Sequence, residues 1–516
     1  MAVTIKRALL SCYDKTGLVE FGRELAALGI ELVASGGTAE ALAKAGLRVT
    51  SVEAFAGITE QLDGRVKTLH PKIHAGILAR RDDPAHVRAV GADGLLDLVV
   101  VNLYPFTQTV QQAGTTLSQA IEQIDIGGVA LLRAAAKNFA HVAVVCQPVQ
   151  YAQVAAALRA GRGQLPDALT RRLATEAFQV TSAYDAAIHA FLGRDGAAGS
   201  AAALPETASV TVRRQQALRY GENPHQRGGW YVPADETPWG LGTLRQLQGK
   251  ELSYNNLLDL DAAVRCLRDF TEPACAIVKH HGPCGIAIGR SSDDAYERAH
   301  ACDPESAFGG IVGLNRPLDD AALAKRLTET FLEVIVAPAV SEAAAKALSA
   351  KKSLRVMTLN WPDSAADGLQ WRQLLGSWLL QDPDQGAEPT FQVVTTRQPT
   401  AAEREDLLFA WAVCRQLLSN GIAVVKGRAT VGLGQGQPSR VGSVRLAVRH
   451  AGDRARQAVA ASDGFFPFPD NIELLAQAGI TAVIQPGGSV KDAEVIAAAD
   501  RAGMTMVLTG VRHFRH

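Results

Sequence analysis

Nothing in this chain approaches the ~18 consecutive apolar residues that a membrane-spanning helix needs; its apolar runs are short and repeatedly broken. Excess charge is missing too: 52 Lys and Arg stand against 52 Asp and Glu, a formal net charge of zero. That balance argues against nucleic acid or an anionic membrane as partner and leaves small anions, which need only local positive sites. Cysteine is scarce, seven in 516 residues, odd in number and without a Cys-x-x-Cys pair. This usage fits a reducing compartment, and an N-terminus that enters a strand directly, without a signal peptide, completes the expectation of a cytoplasmic protein. Cys284, in the run His280-His281-Gly282-Pro283-Cys284-Gly285, has the setting of a zinc-deaminase ligand, but Ala287 occupies the place of the second thiolate. No catalytic metal is expected.

What is present is too long for one ordinary core, so two or three domains are expected. Over the first 190 residues, β-rich runs at Arg7–Cys12, Glu31–Ala34, Leu98–Val101 and Val142–Cys146 alternate with helical patterns at Leu18–Leu28, Ala39–Ala45 and Val129–Lys137. The alternation predicts an α/β fold built on a doubly wound parallel sheet, whose loops Ser11–Thr16, Ser35–Thr38 and Asn102–Phe106 gather at the carboxyl ends of the strands. The small-residue run 195–209 reads as a linker. It divides a first domain, 1–194, from a second, 210–516, with a less marked internal division near Lys352–Glu388. Lys491 and Gly503 flank a final helix.

The densest chemistry lies between Gly64 and His74, where Arg65, Lys67, His70, Lys72 and His74 crowd around one proline. Ser35-Gly36-Gly37-Thr38 follows an apolar run and opens a helix, so its unpaired N–H groups and the helix dipole favour an anion. The same four residues are equally compatible with a purely structural strand-to-helix turn. In the second half, a strand-like run from Ala274 ends in Lys279-His280, and His281-Gly282-Pro283 reads as a stiff turn. Neighbours on a strand face opposite ways, so Lys279 and His280 cooperate only if the chain leaves the strand there. An imidazole beside an ammonium tends to stay neutral, which suits a general base, while the ammonium suits an oxyanion. A surface lysine beside a hydrogen-bonded histidine is the bland alternative. Gly432-Leu433-Gly434-Gln435-Gly436 is no dinucleotide loop, since no helix opens there, and its glycines are expected in a tight turn.

Taken together, Asp14-Lys15-Thr16-Gly17, Ser35–Thr38, Gly64–His74, Asn102–Phe106 and Ile124-Asp125-Ile126-Gly127-Gly128 through Lys137-Asn138 resemble the cyclohydrolase half of a bifunctional family. This is the aminoimidazole carboxamide ribotide (AICAR) formyltransferase and inosinate (IMP) cyclohydrolase family of purine biosynthesis. Arg219–Gln226, Leu252–Asn256, Val278–His280, Ser306–Gly310 and Thr509–His516 resemble its formyltransferase half, and the match runs nearly the whole length. The resemblance implies a methylglyoxal synthase-like N-terminal domain and a C-terminal α/β region with a duplicated cytidine deaminase-like fold in two similar subdomains. It implies formyl transfer from 10-formyltetrahydrofolate, a co-substrate, to AICAR, then dehydrative closure of formyl-AICAR to IMP. No tightly bound cofactor and a homodimer with transferase sites built between subunits follow from it as well.

Carried over residue by residue, the resemblance makes His280 the transferase base and Lys279 its oxyanion or proton partner. Lys67 and Tyr104 would polarise the formyl oxygen in closure, and Asp125 and Lys137 would position the amide and relay protons. Lys15, Thr16, Ser35, Gly36, Gly37, Thr38, Arg65, Thr68, Asn102 and Gly127 would bind the ribotide in the first site. Arg219, Tyr220, Asn256, Glu333, Asn420, Arg440 and Arg512 would bind in the second, with Phe308, Phe465 and Pro467 near the folate. Asp125 before two glycines also reads as a helix cap, and the aromatic residues also suit a core. Tyr13, Gly282, Leu418, Pro438 and Gly442 depart from the family pattern, and Gly282 is expected to loosen the adjoining catalytic pair. A regulatory binding module would not need Lys67, Tyr104, Asp125 and Lys137 together, and a zinc deaminase would need the missing thiolate.

Overall fold

A computed structural model describes residues 2–57, 59–62, 65–110, 112, 114–195, 204–234, 238–362, 368–384 and 389–516. Gly64 of the basic cluster and residues 196–203 of the linker lie outside these. The chain forms two compact units, Met1–Thr211 with Pro233–Glu236, and Val212–Val232 with Thr237–His516.

The first unit is built on a five-stranded, all-parallel sheet in the order Val49–Ser51, Glu31–Ala34, Arg7–Cys12, Leu98–Asn102, Ala143–Val145. Residues of both pleat faces are buried along the three central strands, as in a sheet covered by helices on both sides. The strand order reverses between Arg7–Cys12 and Leu98–Asn102, and the crevice beyond the carboxyl ends of those strands is where open α/β sheets bind ligands. Helix Leu18–Ala27 keeps Leu18, Phe21 and Leu25 inward at helical spacing, and helix Gly127–Lys137 buries Leu131, Leu132 and Ala135. The helix Asp167–Asp195, 29 residues long, was not anticipated from the sequence. Its apolar residues are diluted by charge, and it is held by packing against Gly127–Lys137 and Ala143–Val145.

The second unit contains the same sheet twice. The first has the order Arg245–Gln248, Arg355–Thr358, Val334–Ala337, Ile311–Leu314, Ala274–Lys279, Gly282–Ile288. The second runs Gln392–Val393, Thr505–Leu508, Ala482–Gln485, Val459–Ser462, Ile422–Val425, Thr430–Gly434. Read across, both are antiparallel, parallel, parallel, antiparallel, antiparallel. Each final hairpin shifts register at its last inner residues, Ile277/Val278 in one and Val424/Val425 in the other. A two-stranded hairpin, Gln370–Leu374 with Ser377–Gln381, lies in sequence between the two repeats. Helix Asp492–Arg501 precedes the last strand.

Gly432 and Gly434 do not make the tight turn expected of them. Both lie in the strand Thr430–Gly434, and a Cβ on either would fall 2.1 Å from Ala447 O or 2.0 Å from Ser443 O. They let the strand press against helix Arg440–Ala451, as Gly285 does in the first repeat against Ala299 O, where a Cβ would fall at 2.0 Å.

In each repeat a capped helix follows the first strand. Ser253 and Asn256 form a reciprocal capping box for Tyr254–Leu267, and Thr400 and Glu403 form one for Ala401–Cys414. Burial alone would raise the Glu403 carboxyl, but hydrogen bonds from Arg397 (2.8 Å), Thr481 Oγ1 (2.5 Å) and Thr400 N–H (2.9 Å) outweigh it and hold it at about 2. A lowered folded-state value means that this stabilisation is present above the ordinary 4.5 and lost as pH falls toward 2. Glu403→Gln is therefore expected to cost roughly 1 kcal/mol or more at pH 7, and to remove part of the acid limb of stability. Urea unfolding at pH 7 and pH 3 checks this: an unchanged midpoint at pH 7 would contradict it.

Candidate active sites in the two units

In the first unit the phosphate-type turn lies where the strand order predicts. Ser35 is the N-cap residue of helix Gly36–Lys44 but makes no side-chain cap; its carbonyl takes the Thr38 N–H at 2.9 Å, which leaves the Gly36 and Gly37 N–H groups for a ligand. Ser35 Oγ instead meets Ser11 Oγ at 2.7 Å, and Thr38 Oγ1 ties the helix to Cys12, accepting from its N–H (3.0 Å) and donating to its carbonyl (3.1 Å). Two ammonium groups converge on this turn. A Cβ on Gly36 would fall 2.6 Å from Lys67 Nζ, and one on Gly37 would fall 3.8 Å from Lys15 Nζ. Gly36 has φ +38°, so glycine is needed there for backbone conformation as well as for space.

Thr68, the next residue after Lys67, touches the start of a second helix: a Cβ on Gly127 would fall 2.6 Å from Thr68 Oγ1. Two consecutive residues thus abut the N-termini of Gly36–Lys44 and Gly127–Lys137, which places both helix ends in one site. Asp125 lies beside it, its Oδ1 accepting from Gly128 N–H at 2.7 Å, so the expected capping role is present. The Tyr104 N–H also donates to Asp125, and Asp125 N–H donates to Tyr184 Oη at 2.8 Å. Burial pushes the Asp125 carboxyl up, and the Gly128 and Tyr104 N–H groups only partly counter it. The ring of Tyr104 is exposed and meets Tyr13 edge to face at 5.3 Å, which gives that departure from the family pattern a packing role. Asn102 pins the Asp14 loop by two 2.8 Å bonds, and Thr16 N–H closes on Asp14 Oδ1 at 2.9 Å.

Some of the expected residues are already paired. Lys67 Nζ lies 2.9 Å from Glu60 Oε2 and 3.8 Å from Glu53 Oε1, and Arg65 pairs with Glu122. None of these carboxylates stands out in the sequence. Lys137 stands apart: it closes the helix that Gly127 opens, about 15 Å along the axis by helix rise. It borders an outer groove with Arg133, Phe139, Arg171 and Phe178. Within one chain, then, Asp125 and Lys137 do not meet, because the helix Gly127–Lys137 lies between them.

In the second unit the strand Ala274–Lys279 and the strand Gly282–Ile288 form a hairpin whose two-residue turn is His280-His281, not His281–Pro283 as the sequence suggested. Pro283 lies inside the edge strand, next to the register shift, where its missing N–H is tolerated. Both histidines have positive φ, 52° and 66°, which takes His280 off the strand alternation. Lys279 and His280 border one cavity of about 260 Å³ with Cys284, Asp303 and Gln435. Lys279 Nζ donates to Phe308 O at 2.8 Å. The space beside Gly282 is filled by Gln435, whose Nε2 would lie 2.5 Å from a Cβ there, so the glycine accommodates a side chain where loosening was expected.

The remaining residues fall into two sets, one in each repeat. In the first, Arg219 Nη2 donates to Tyr220 Oη (2.9 Å), and Asn256 Nδ2 donates to Glu333 Oε2 (2.9 Å), which also pairs with Arg355 at 3.4 Å. Arg355 escapes sequence reasoning because it reads as an ordinary strand residue. In the second, the Arg440 guanidinium is almost wholly buried, paired with Asp463 and donating to Ser462 Oγ (2.7 Å) and Asn420 Oδ1 (2.8 Å). Arg440 is thus consumed within the fold, where it orients Asn420. Arg512 lies over the Phe514 ring at 4.8 Å. Phe308 and Phe465 are 58% and 40% exposed, so they are not core residues, while Pro467 is half-buried. Among the described residues no group of three His, Cys, Asp or Glu is arranged to hold a metal, and no helix is long and apolar enough to cross a membrane.

Comparison with known proteins finds two families matched along the chain. The MGS-like domain family matches residues 17–130, and the family described as AICARFT/IMPCHase bienzyme matches 135–450. The chain is 52% identical over 516 residues to the bifunctional purine biosynthesis protein PurH of Cyanothece sp., covering 99% of each. The crystal structure of ForH is 34% identical, covering 37% of this chain and 98% of that one at a TM-score of 0.34. A methylglyoxal synthase from Elizabethkingia anophelis is 14% identical, covering 30% and 80% at a TM-score of 0.19. The identity to PurH extends end to end, and the bienzyme family spans more than half the chain. The chain belongs to the AICARFT/IMPCHase family, the bifunctional AICAR formyltransferases and IMP cyclohydrolases of purine biosynthesis.

Proposed function

We propose that the first unit closes formyl-AICAR to IMP at the Lys67–Asp125 site and that the second transfers the formyl group from 10-formyltetrahydrofolate to AICAR at Lys279 and His280. For closure, the observation that carries the reading is the pair Lys67-Thr68 abutting two helix N-termini, with Lys15 beside the first. A ribotide phosphate fits the start of the helix at Gly36-Gly37, where two N–H groups, the dipole and the Lys15 ammonium all favour an anion. The base then lies toward Tyr104 and Asp125. Closure is intramolecular, so holding the carboxamide nitrogen against the formyl carbon supplies much of the rate. Lys67 and the Tyr104 hydroxyl polarise the formyl oxygen, and the half-buried Asp125 carboxylate accepts from the amide N–H.

The raised value of Asp125 has a stability consequence. Ionising it costs the folded state, so its contribution is fully present below the ordinary 3.8 and is lost as pH rises through the higher folded value. Asp125→Asn keeps an acceptor for Gly128 N–H and removes the charge. It is expected to slow closure of preformed formyl-AICAR by about 100-fold or more, with an equal or higher Tm at pH 7. A lower Tm with unchanged closure would overturn the assignment.

For transfer, the AICAR amine is a weak nucleophile, its lone pair conjugated with the ring and carboxamide. The turn geometry that brings Lys279 and His280 to one cavity supports joint action, in which His280 takes the amine proton as Lys279 stabilises the tetrahedral oxyanion. The Lys279 ammonium donates to the backbone carbonyl of Phe308, a residue whose exposed ring is suited to the folate. The two sets of ribotide residues sit on different repeats, which is compatible with a homodimer in which each transferase site draws on two subunits. Sedimentation equilibrium tests the dimer, and a monomer with full transfer activity would refute it.

A further inference from the structure

We infer that Asp259 is a positioning residue for formyl transfer, its carboxylate clamping the backbone of the His280-His281 turn and so fixing the imidazole of His280. The inference rests on the reading of His280 as the transferase base. Two-residue hairpin turns with both central φ positive favour Asn and Gly, and a side chain such as histidine is disfavoured there. Here both central residues are histidines, at 52° and 66°. Their N–H groups point the same way and meet one carboxylate: His280 N–H reaches Asp259 Oδ2 at 3.3 Å and His281 N–H reaches Oδ1 at 2.7 Å. Two charge-assisted bonds offset the backbone cost and leave the turn one arrangement.

The second repeat supplies an internal control. There the turn is Gly427-Arg428, again with positive φ at both residues, 60° and 57°. Its N–H groups meet Asp406 at 2.7 and 2.5 Å. Asp259 and Asp406 occupy the same place, the sixth residue of Tyr254–Leu267 and of Ala401–Cys414. Even the preceding lysines agree, since Lys279 and Lys426 each donate to a backbone carbonyl at 2.8 Å. The clamp therefore belongs to the duplicated scaffold, and what distinguishes the first copy is an imidazole where the second has glycine. Glycine adopts positive φ without penalty, so the first turn depends on its clamp more than the second.

The test compares Asp259→Asn, Asp259→Ala, Asp406→Asn and His280→Ala in the full chain, measuring kcat and the AICAR KM of transfer, closure of supplied formyl-AICAR, and Tm. Asp259→Ala is expected to lower transfer kcat by roughly 10- to 100-fold, the cost of misplacing a reacting group by about 1 Å, with KM and closure little changed. Asp259→Asn, which keeps one acceptor oxygen, should lose less and guards against misfolding of the alanine variant. Asp406→Asn should lower Tm by no more than Asp259→Asn does, and leave transfer kcat unchanged. Equal loss of kcat in the Asp259 and Asp406 variants would reduce the clamp to a stability element and overturn the inference. So would full kcat in both Asp259 variants beside an inactive His280→Ala. If His280→Ala itself kept full transfer, the assignment of the base would fall first, and the positioning role with it.

Discussion

His280→Ala is expected to lower formyl transfer by roughly 100- to 10,000-fold, the range a positioned general base supplies, while closure of supplied formyl-AICAR is unchanged. Removal of the imidazole leaves the amine to lose its proton unaided, but the hairpin remains held, because Asp259 binds backbone N–H groups that alanine retains. His280 is exposed, so Tm should move little. Transfer is read as tetrahydrofolate released and closure as IMP formed. Loss of both activities in a folded protein would contradict separate sites in separate units.

Lys67→Ala is expected to do the reverse: closure falls by about 100- to 1,000-fold, the effect of deleting one preorganised oxyanion donor, and transfer continues, so formyl-AICAR accumulates. Lys67 is the residue to change because its ammonium lies at the anion turn at Gly36 while its neighbour Thr68 touches the second helix start at Gly127. Its partners would be left without the ammonium, but Glu60 is exposed at 2.9 Å and the half-buried Glu53 lies farther off at 3.8 Å, so the stability cost stays at about 1 kcal/mol, the top of the range for exposed pairs. Lys137 is the weaker choice, since the helix Gly127–Lys137 carries it away from Asp125 within the chain. Unchanged closure in Lys67→Ala would move the oxyanion role elsewhere.

Elements whose pattern is local were readable in the sequence. Arg7–Cys12 and Glu31–Ala34 are strands with the expected limits, and the Leu18, Gly36 and Asp492 helices lie within a few residues of their patterns. What was hidden depends on the third dimension. Sequence distance alone does not show that a helix separates Asp125 from Lys137. The turn at His280-His281 was misplaced because proline and glycine mark turns by propensity, whereas here a carboxylate 22 residues before His281 decides. Gly432 and Gly434 were read as turn residues because nothing local shows a helix backbone pressed against them. The Asp259 clamp did leave a trace: Ser253-x-x-Asn256-x-x-Asp259 and Thr400-x-x-Glu403-x-x-Asp406 share one spacing, visible once the two repeats are aligned.

The most direct test of two chemistries in one chain is a time course of the purified protein with AICAR and 10-formyltetrahydrofolate, following tetrahydrofolate and IMP separately in the presence of a metal chelator. The account predicts both products in equal final amounts, with tetrahydrofolate never lagging behind IMP. Tetrahydrofolate without IMP, with formyl-AICAR accumulating, would contradict the closure site at Lys67 and Asp125.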